Sequence, residues 1–166
     1  MKRVALLMAG GKSERLWPMS RARMPKQFLS IDHSGDTMIQ LTVARLLPMV
    51  AMEDIYVVTG KAYVPIVQEQ LPQLPLDNIL AEPMGRNTAP CIAFAVAVLQ
   101  NRYSDAVMMV LASDHLIQQG DAFLENLRRA CDFAETQDTL TTIGITPTYP
   151  ETGYGYIQYD LALIHI

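Results

Sequence analysis

The chain has 166 residues, 50% hydrophobic and 18% charged, which excludes a disordered chain and is enough for one domain with a real core. With 13 lysines and arginines against 17 acids, the formal charge is −4 and the pI about 5.3, excluding a nucleic-acid-binding face. Cys91 and Cys131 stand in apolar surroundings without metal-ligand spacing and read as small buried hydrophobes of a reducing compartment, while His33, His115 and His165 are scattered and form no ligand cluster.

The start, Met1-Lys2-Arg3 and an apolar run, imitates a secretory leader but passes into Gly10-Gly11-Lys12-Ser13-Glu14-Arg15 without a convincing cleavage site. The longest uniformly apolar run, Cys91 to Leu99, is about half of what a membrane helix requires. A cytoplasmic protein without a membrane partner is expected.

Strand and helix signals then alternate. Val4 to Ala9 reads as a buried strand, and Thr37 to Leu47 as a helix capped by Asp36 or Thr37. Asp54 to Gly60 is a strand with a glycine stop, Tyr63 to Leu71 a short helix and Asn78 to Ala81 a brief strand. Thr88 to Tyr103 is helical, with Pro90 tolerable in its first turn. Ala106 to Ala112 is a continuous apolar strand suited to a sheet covered on both faces, Asp121 to Thr136 a helix, and Thr139 to Ile145 another strand. Such alternation predicts an α/β fold, a doubly wound, mostly parallel sheet of Rossmann-like type with right-handed crossovers. Ligands of such sheets bind beyond the carboxyl ends of the strands, so chemistry is sought in the loops after them.

The first of these loops opens with MAGGKSER. It is not a P-loop, since that motif needs a glycine at position 6, where Leu6 stands. A dinucleotide fingerprint fails as well, because Lys12 occupies the place of its second glycine. A tight turn is one reading of Gly10-Gly11; backbone N–H groups facing phosphate oxygens are the other. The loop continues with Arg15, Arg21, Arg23 and Lys26 between Pro18 and Pro25, and cations on a stiffened loop beside glycine amides describe a polyphosphate site. A solvated basic loop is the plainer alternative.

The second loop is Glu82-Pro83-Met84-Gly85-Arg86-Asn87-Thr88. A carboxylate at a strand end accepts from two adjacent donors, which guanine presents as N1–H and N2–H and adenine does not. Glu82 is therefore a candidate guanine reader, unless Glu82 or Asn87 only caps the next helix. In the third loop, Ser113-Asp114-His115, Asp114 is the candidate ligand of a hard cation such as Mg²⁺, although strand-end aspartates also cap turns. Farther on, Glu151-Thr152-Gly153-Tyr154-Gly155-Tyr156-Ile157 sets two glycines between aromatics, fit for close approach to a sugar or for a strand with a bulge.

Together AGGKSERLWPMSRARMPKQFL, EPMGRNTAP, LASDH and PETGYGYI resemble, in order, the sugar-phosphate nucleotidyltransferases, and among them the mannose-1-phosphate guanylyltransferases. The resemblance covers residues 4 to 159, as the N-terminal part of a nucleotidyltransferase domain. It implies that GTP and mannose 1-phosphate give GDP-mannose and pyrophosphate with Mg²⁺. It further implies roles for Gly10 and Gly11 near the nucleotide, Arg15 and Lys26 at the phosphates, Glu82 with Gly85, Asn87 and Thr88 at the base, Asp114 at the metal and Gly155 at the sugar.

Three departures stand beside it. Ser13 occupies a position usually held by glycine in this family. The family's second metal-binding acid and later lysine have no counterpart here. The tail, residues 160–166, does not resemble the family's continuation; its apolar alternation fits either a strand or the atypical, non-native end of a truncated or frame-shifted gene. Rival readings are a truncated fragment that at most binds nucleotide, an enzyme for another hexose 1-phosphate, and the molybdenum cofactor guanylyltransferase. Trp17-Pro18 and Pro25-Lys26-Gln27-Phe28-Leu29 argue against the last. Oligomeric state is left open.

Overall fold

The computed structural model describes residues 1–11, 17–31, 34–137 and 139–158. Strands β1 (Lys2–Met8), β2 (Ile55–Gly60), β3 (Ile79–Glu82) and β4 (Ala106–Ala112) form one sheet in the order β3-β2-β1-β4, with every pair parallel. Helices α1 (Met38–Leu46), α2 (Val64–Gln70), α3 (Thr88–Leu99) and α4 (Gly120–Gln137) alternate with them, as the α/β pattern predicts.

Because side chains alternate along a strand, β1 feeds two cores at once. Ala5 and Leu7 face Ile39, Val43 and Leu46 of α1, Val67 of α2, and Leu124, Leu127 and Cys131 of α4. Val4 and Leu6, with Tyr56, Val58 and Leu80, face Cys91, Ala95 and Leu99 of α3. A continuous apolar run is what a strand covered on both faces requires, and each such side chain contributes about 1.5–3 kcal/mol by leaving water. The helix α1 starts after Thr37 rather than Asp36, because Gln40 Oε1 accepts from the Thr37 amide at 2.8 Å.

Three expectations are corrected. The helix expected to reach Tyr103 ends at Leu99, and the residues beyond serve a polar cluster under the amino ends of the strands. Arg102 donates to Asn78 Oδ1 (2.9 Å) and the Asp77 carbonyl (2.8 Å). Tyr103 meets the Tyr56 hydroxyl at 2.8 Å and Asp54 Oδ1 at 3.2 Å, and Lys2 pairs with Asp54 at 2.7 Å. Burial first, and then Tyr56, raises the Tyr103 phenol well above its ordinary range. Secondly, β4 is covered on both faces but less completely than expected: Val107, Met109 and Leu111 pack into the first core and Ala106, Met108 and Val110 into the second, yet in this last strand of the described sheet only Met109 is fully buried. Thirdly, no strand forms over 139–145, where Leu140 and Ile145 are exposed. Apolar residues supply a strand's composition, but a strand exists only where its backbone finds a partner. Residues 159–166, which include the atypical tail, lie outside the described residues.

Arg3 clamps α4 to the sheet. Its Nε donates to Glu135 Oε1 at 2.7 Å, and its terminal nitrogen to Asp132. The hydrogen bond to Arg3 holds the Glu135 carboxyl below its ordinary range. The unfolded chain therefore takes up this proton before the folded one does. The clamp's contribution is complete above the ordinary glutamate pKa of about 4.3 and is lost as pH falls through that value and below it. In thermal melts between pH 7 and about 2, Glu135→Gln should be less stable than the parent at neutral pH and converge with it in acid.

Candidate active site

A parallel sheet opens a crevice where its winding direction reverses. Strands β1, β2 and β3 are laid down in one direction, and β4 then pairs with the other side of β1, so the reversal falls between β1 and β4. Met8 lies opposite Ala112 in the register, so Gly10-Gly11 and Asp114 leave the sheet side by side.

The end of β1 is held by side chains from three directions. The Met8 carbonyl accepts from Ser113 Oγ at 2.8 Å, and the Ala9 carbonyl accepts from Thr59 Oγ1 and Gln27 Nε2, each at 2.8 Å. Gln27 belongs to a 3-10 turn, Lys26–Phe28, which is itself anchored. Phe28 is buried against the Tyr63 ring, Gln70 Nε2 donates to the Phe28 carbonyl at 3.1 Å, and the Met38 amide donates to the Leu29 carbonyl at 3.0 Å. The turn aims Lys26 across the crevice, where its Nζ stands 3.7 Å from Asp114 Oδ2. The two side chains are 30% and 40% exposed, so this pair is worth no more than about 1 kcal/mol and either partner can be drawn to a ligand.

Glu82 ends β3 opposite Gly60, two strands away, yet it meets the first loop. A Cβ placed on Gly10 would lie 3.6 Å from Glu82 Oε2. On its other side the carboxylate meets Cys91, whose thiol is pushed up to about 11, mainly by burial and then by the Glu82 charge and hydrogen bond. The thiol is therefore protonated at neutral pH and is no nucleophile. Both cysteines are buried and free, as expected. Beyond Glu82 opens a groove of about 380 Å³ lined by Pro83, Met84, Arg86, Pro90 and Phe94.

The remaining candidates divide. Gly11 has φ +103°, a conformation that a side chain would strain. Gly85 has open space around it and no such constraint. Thr88 opens α3, and Asn87 precedes it in the N-cap position but makes no capping hydrogen bond. Gly155 is exposed within the irregular residues 139–158, where Gly153 and Tyr156 bond locally to Glu151. Arg15, like Ser13, lies outside the described residues. Among the described residues no three His, Cys, Asp or Glu gather as a metal site, and no helix is long and apolar enough to cross a membrane.

Sequence reasoning singled out no role for Gln27, Thr59 or Ser113. The available signal was a polar residue in an apolar setting, as with Thr59 at the end of Ile55-Tyr56-Val57-Val58.

Glycine amides at the turn off β1, a cation and a carboxylate facing each other across the reversal, and a second carboxylate beside a groove thus lie together beyond the carboxyl ends of the strands. Residues 4–164 match the nucleotidyl transferase family, and the chain belongs to it. A mannose-1-phosphate guanylyltransferase of Escherichia coli (strain K12) is 48% identical over 159 residues, which are 92% of this chain and 32% of that protein. One from Salmonella muenchen is 46% identical over 161 residues, 94% of this chain and 33% of its own. A crystal structure described as a mannose-1-phosphate geranyltransferase from Thermus thermophilus matches with a TM-score of 0.73 and 34% identity, over 81% of this chain and 39% of that one. The chain thus spans about a third of the length of the curated relatives it matches.

Asn87 has φ 66° and ψ −168°, a region that only glycine enters without strain, at about 1–3 kcal/mol for other residues. Asn87→Gly should therefore melt about 2–4 °C higher than the parent after allowing for glycine's freedom in the unfolded chain, whereas Asn87→Ala should not. Differential scanning calorimetry of the two variants checks this.

Proposed function

We propose that this chain carries the nucleotide half of a guanylyltransferase site, for the reaction of GTP with mannose 1-phosphate to give GDP-mannose and pyrophosphate. The observation that carries the reading is the Lys26–Asp114 pair across the reversal beside Gly10-Gly11. A sugar phosphate oxygen attacks the α-phosphorus, the bond to the β-phosphate oxygen breaks, and pyrophosphate leaves with that electron pair. No covalent enzyme intermediate is needed, so the protein's task is positioning and charge stabilisation.

In this reading the Gly10 and Gly11 amides and Arg15 hold the triphosphate, and Lys26 leaves Asp114 for the reacting phosphates. Each charge-assisted bond is worth about 1.5–3 kcal/mol. Glu82 reads guanine through its two adjacent donors, at the mouth of a groove whose apolar walls suit a flat base, and Gly85, Asn87 and Thr88 of the same loop assist at the base. Gly155 approaches the sugar. Asp114 suits Mg²⁺, which keeps several waters and needs only one or two carboxylates together with substrate phosphates. Such an ion would neutralise charge on the phosphates. Action in the cytoplasm accords with this chemistry.

A second reading is nucleotide binding without turnover. Thermal melts with Mg²⁺ and GTP, ATP, UTP or dTTP separate the cases. At a hundred times its dissociation constant a ligand adds about 2.7 kcal/mol, so selective stabilisation by GTP is the expected result and equal response to all four sinks the Glu82 reading. Pyrophosphate release on adding mannose 1-phosphate then distinguishes catalysis from binding alone. Where turnover is present, Lys26→Ala should lower kcat by about 10²–10³, by analogy with the loss of one oxyanion donor, and a variant that keeps most of its rate removes Lys26 from the chemistry.

A further inference from the structure

Gln27 stands between the proposed phosphate ligand Lys26 and the buried anchor Phe28, and is itself 2% exposed. A buried amide is costly unless it is bonded, and an apolar side chain of similar length would serve as packing alone. Its Nε2 bonds to the carbonyl of Ala9, the residue immediately before Gly10. That bond closes a ring: Ala9 to Gln27, Lys26 to Asp114, and the neighbouring Ser113 back to the Met8 carbonyl.

We infer that Gln27 is a positioning residue, which sets the Lys26 turn against the end of β1 so that Lys26 and the Gly10-Gly11 amides address the same polyphosphate. The binding consequence rests on the reading of Lys26 given above; the mechanical one does not. Ala9's carbonyl also accepts from Thr59, so removing the Gln27 donor leaves that oxygen bonded. Gln27→Met, close in length and volume, keeps the apolar packing of the turn while removing its hydrogen bond to the end of β1.

Two measurements on the purified chain test this. In hydrogen exchange, Gln27→Met should speed the bonded amides of Ala9, Phe28 and Leu29, which donate to the Val58, Pro25 and Lys26 carbonyls, about tenfold, the worth of one hydrogen bond, while those of α1 keep the parental rate. In GTP titrations in magnesium buffer, Gln27→Met should weaken binding about tenfold, and adding it to Lys26→Ala should cause little further loss, since the two act as one unit. Unchanged exchange at Ala9, Phe28 and Leu29, or losses that simply multiply in the double variant, would overturn the assignment. A parent chain that binds no GTP sinks the proposed function instead, and the exchange result then decides the Gln27 assignment alone.

Discussion

The reversal of winding at β1 is the constraint on which the rest of this molecule depends. A parallel sheet cannot turn back on itself through a hairpin, so each return to the sheet costs a crossover, and the side on which the chain returns decides which strand ends become neighbours. Here the third crossover brings β4 to the open flank of β1. Asp114 thereby lies beside the Gly10-Gly11 turn, and the long loop that follows β1 has a floor to lie on. With β4 on the flank of β3, the same residues would not meet.

The same arrangement explains the two-faced apolarity of β1 and β2. Their odd and even positions serve separate cores, and the helices divide between the faces, with α3 alone opposite α1, α2 and α4. The ends of the sheet are specialised differently. Under the amino ends, Lys2, Asp54, Asn78, Tyr56, Arg102 and Tyr103 satisfy one another in a closed cluster suited to fixing strand positions. Beyond the carboxyl ends lies a looser charge pair. The Lys26–Asp114 pair is long, half-exposed and weak. Strength at one end and exchangeable contacts at the other is the division expected of a rigid scaffold with a ligand site.

The relatives exceed the chain in length about threefold. Membership of the nucleotidyl transferase family accounts for the order of the motifs along the chain. The three β1-end donors, Gln27, Thr59 and Ser113, account for why those motifs assemble: each lies on a different segment, and all reach two successive carbonyls.

Much was legible in the sequence. The strands and helices through residue 137 are local in origin, since apolar periodicity, glycine stops and the cap at Thr37 act within a few residues, and they appeared nearly where the pattern put them. Gly10, Lys26, Glu82 and Asp114 could be named as candidates because residue type and place after a strand are also local properties. Whether they meet is a matter of strand order, which no spacing along the chain encodes. The contact of Gly10 with Glu82 and the span from Lys26 to Asp114 were decided only by tertiary structure. So was the failure of 139–145 to become a strand, because composition sets a segment's preference for extended backbone while hydrogen bonding demands a neighbour. Gln27 was hidden for the same reason: its partner is a backbone carbonyl, which has no letter in the sequence.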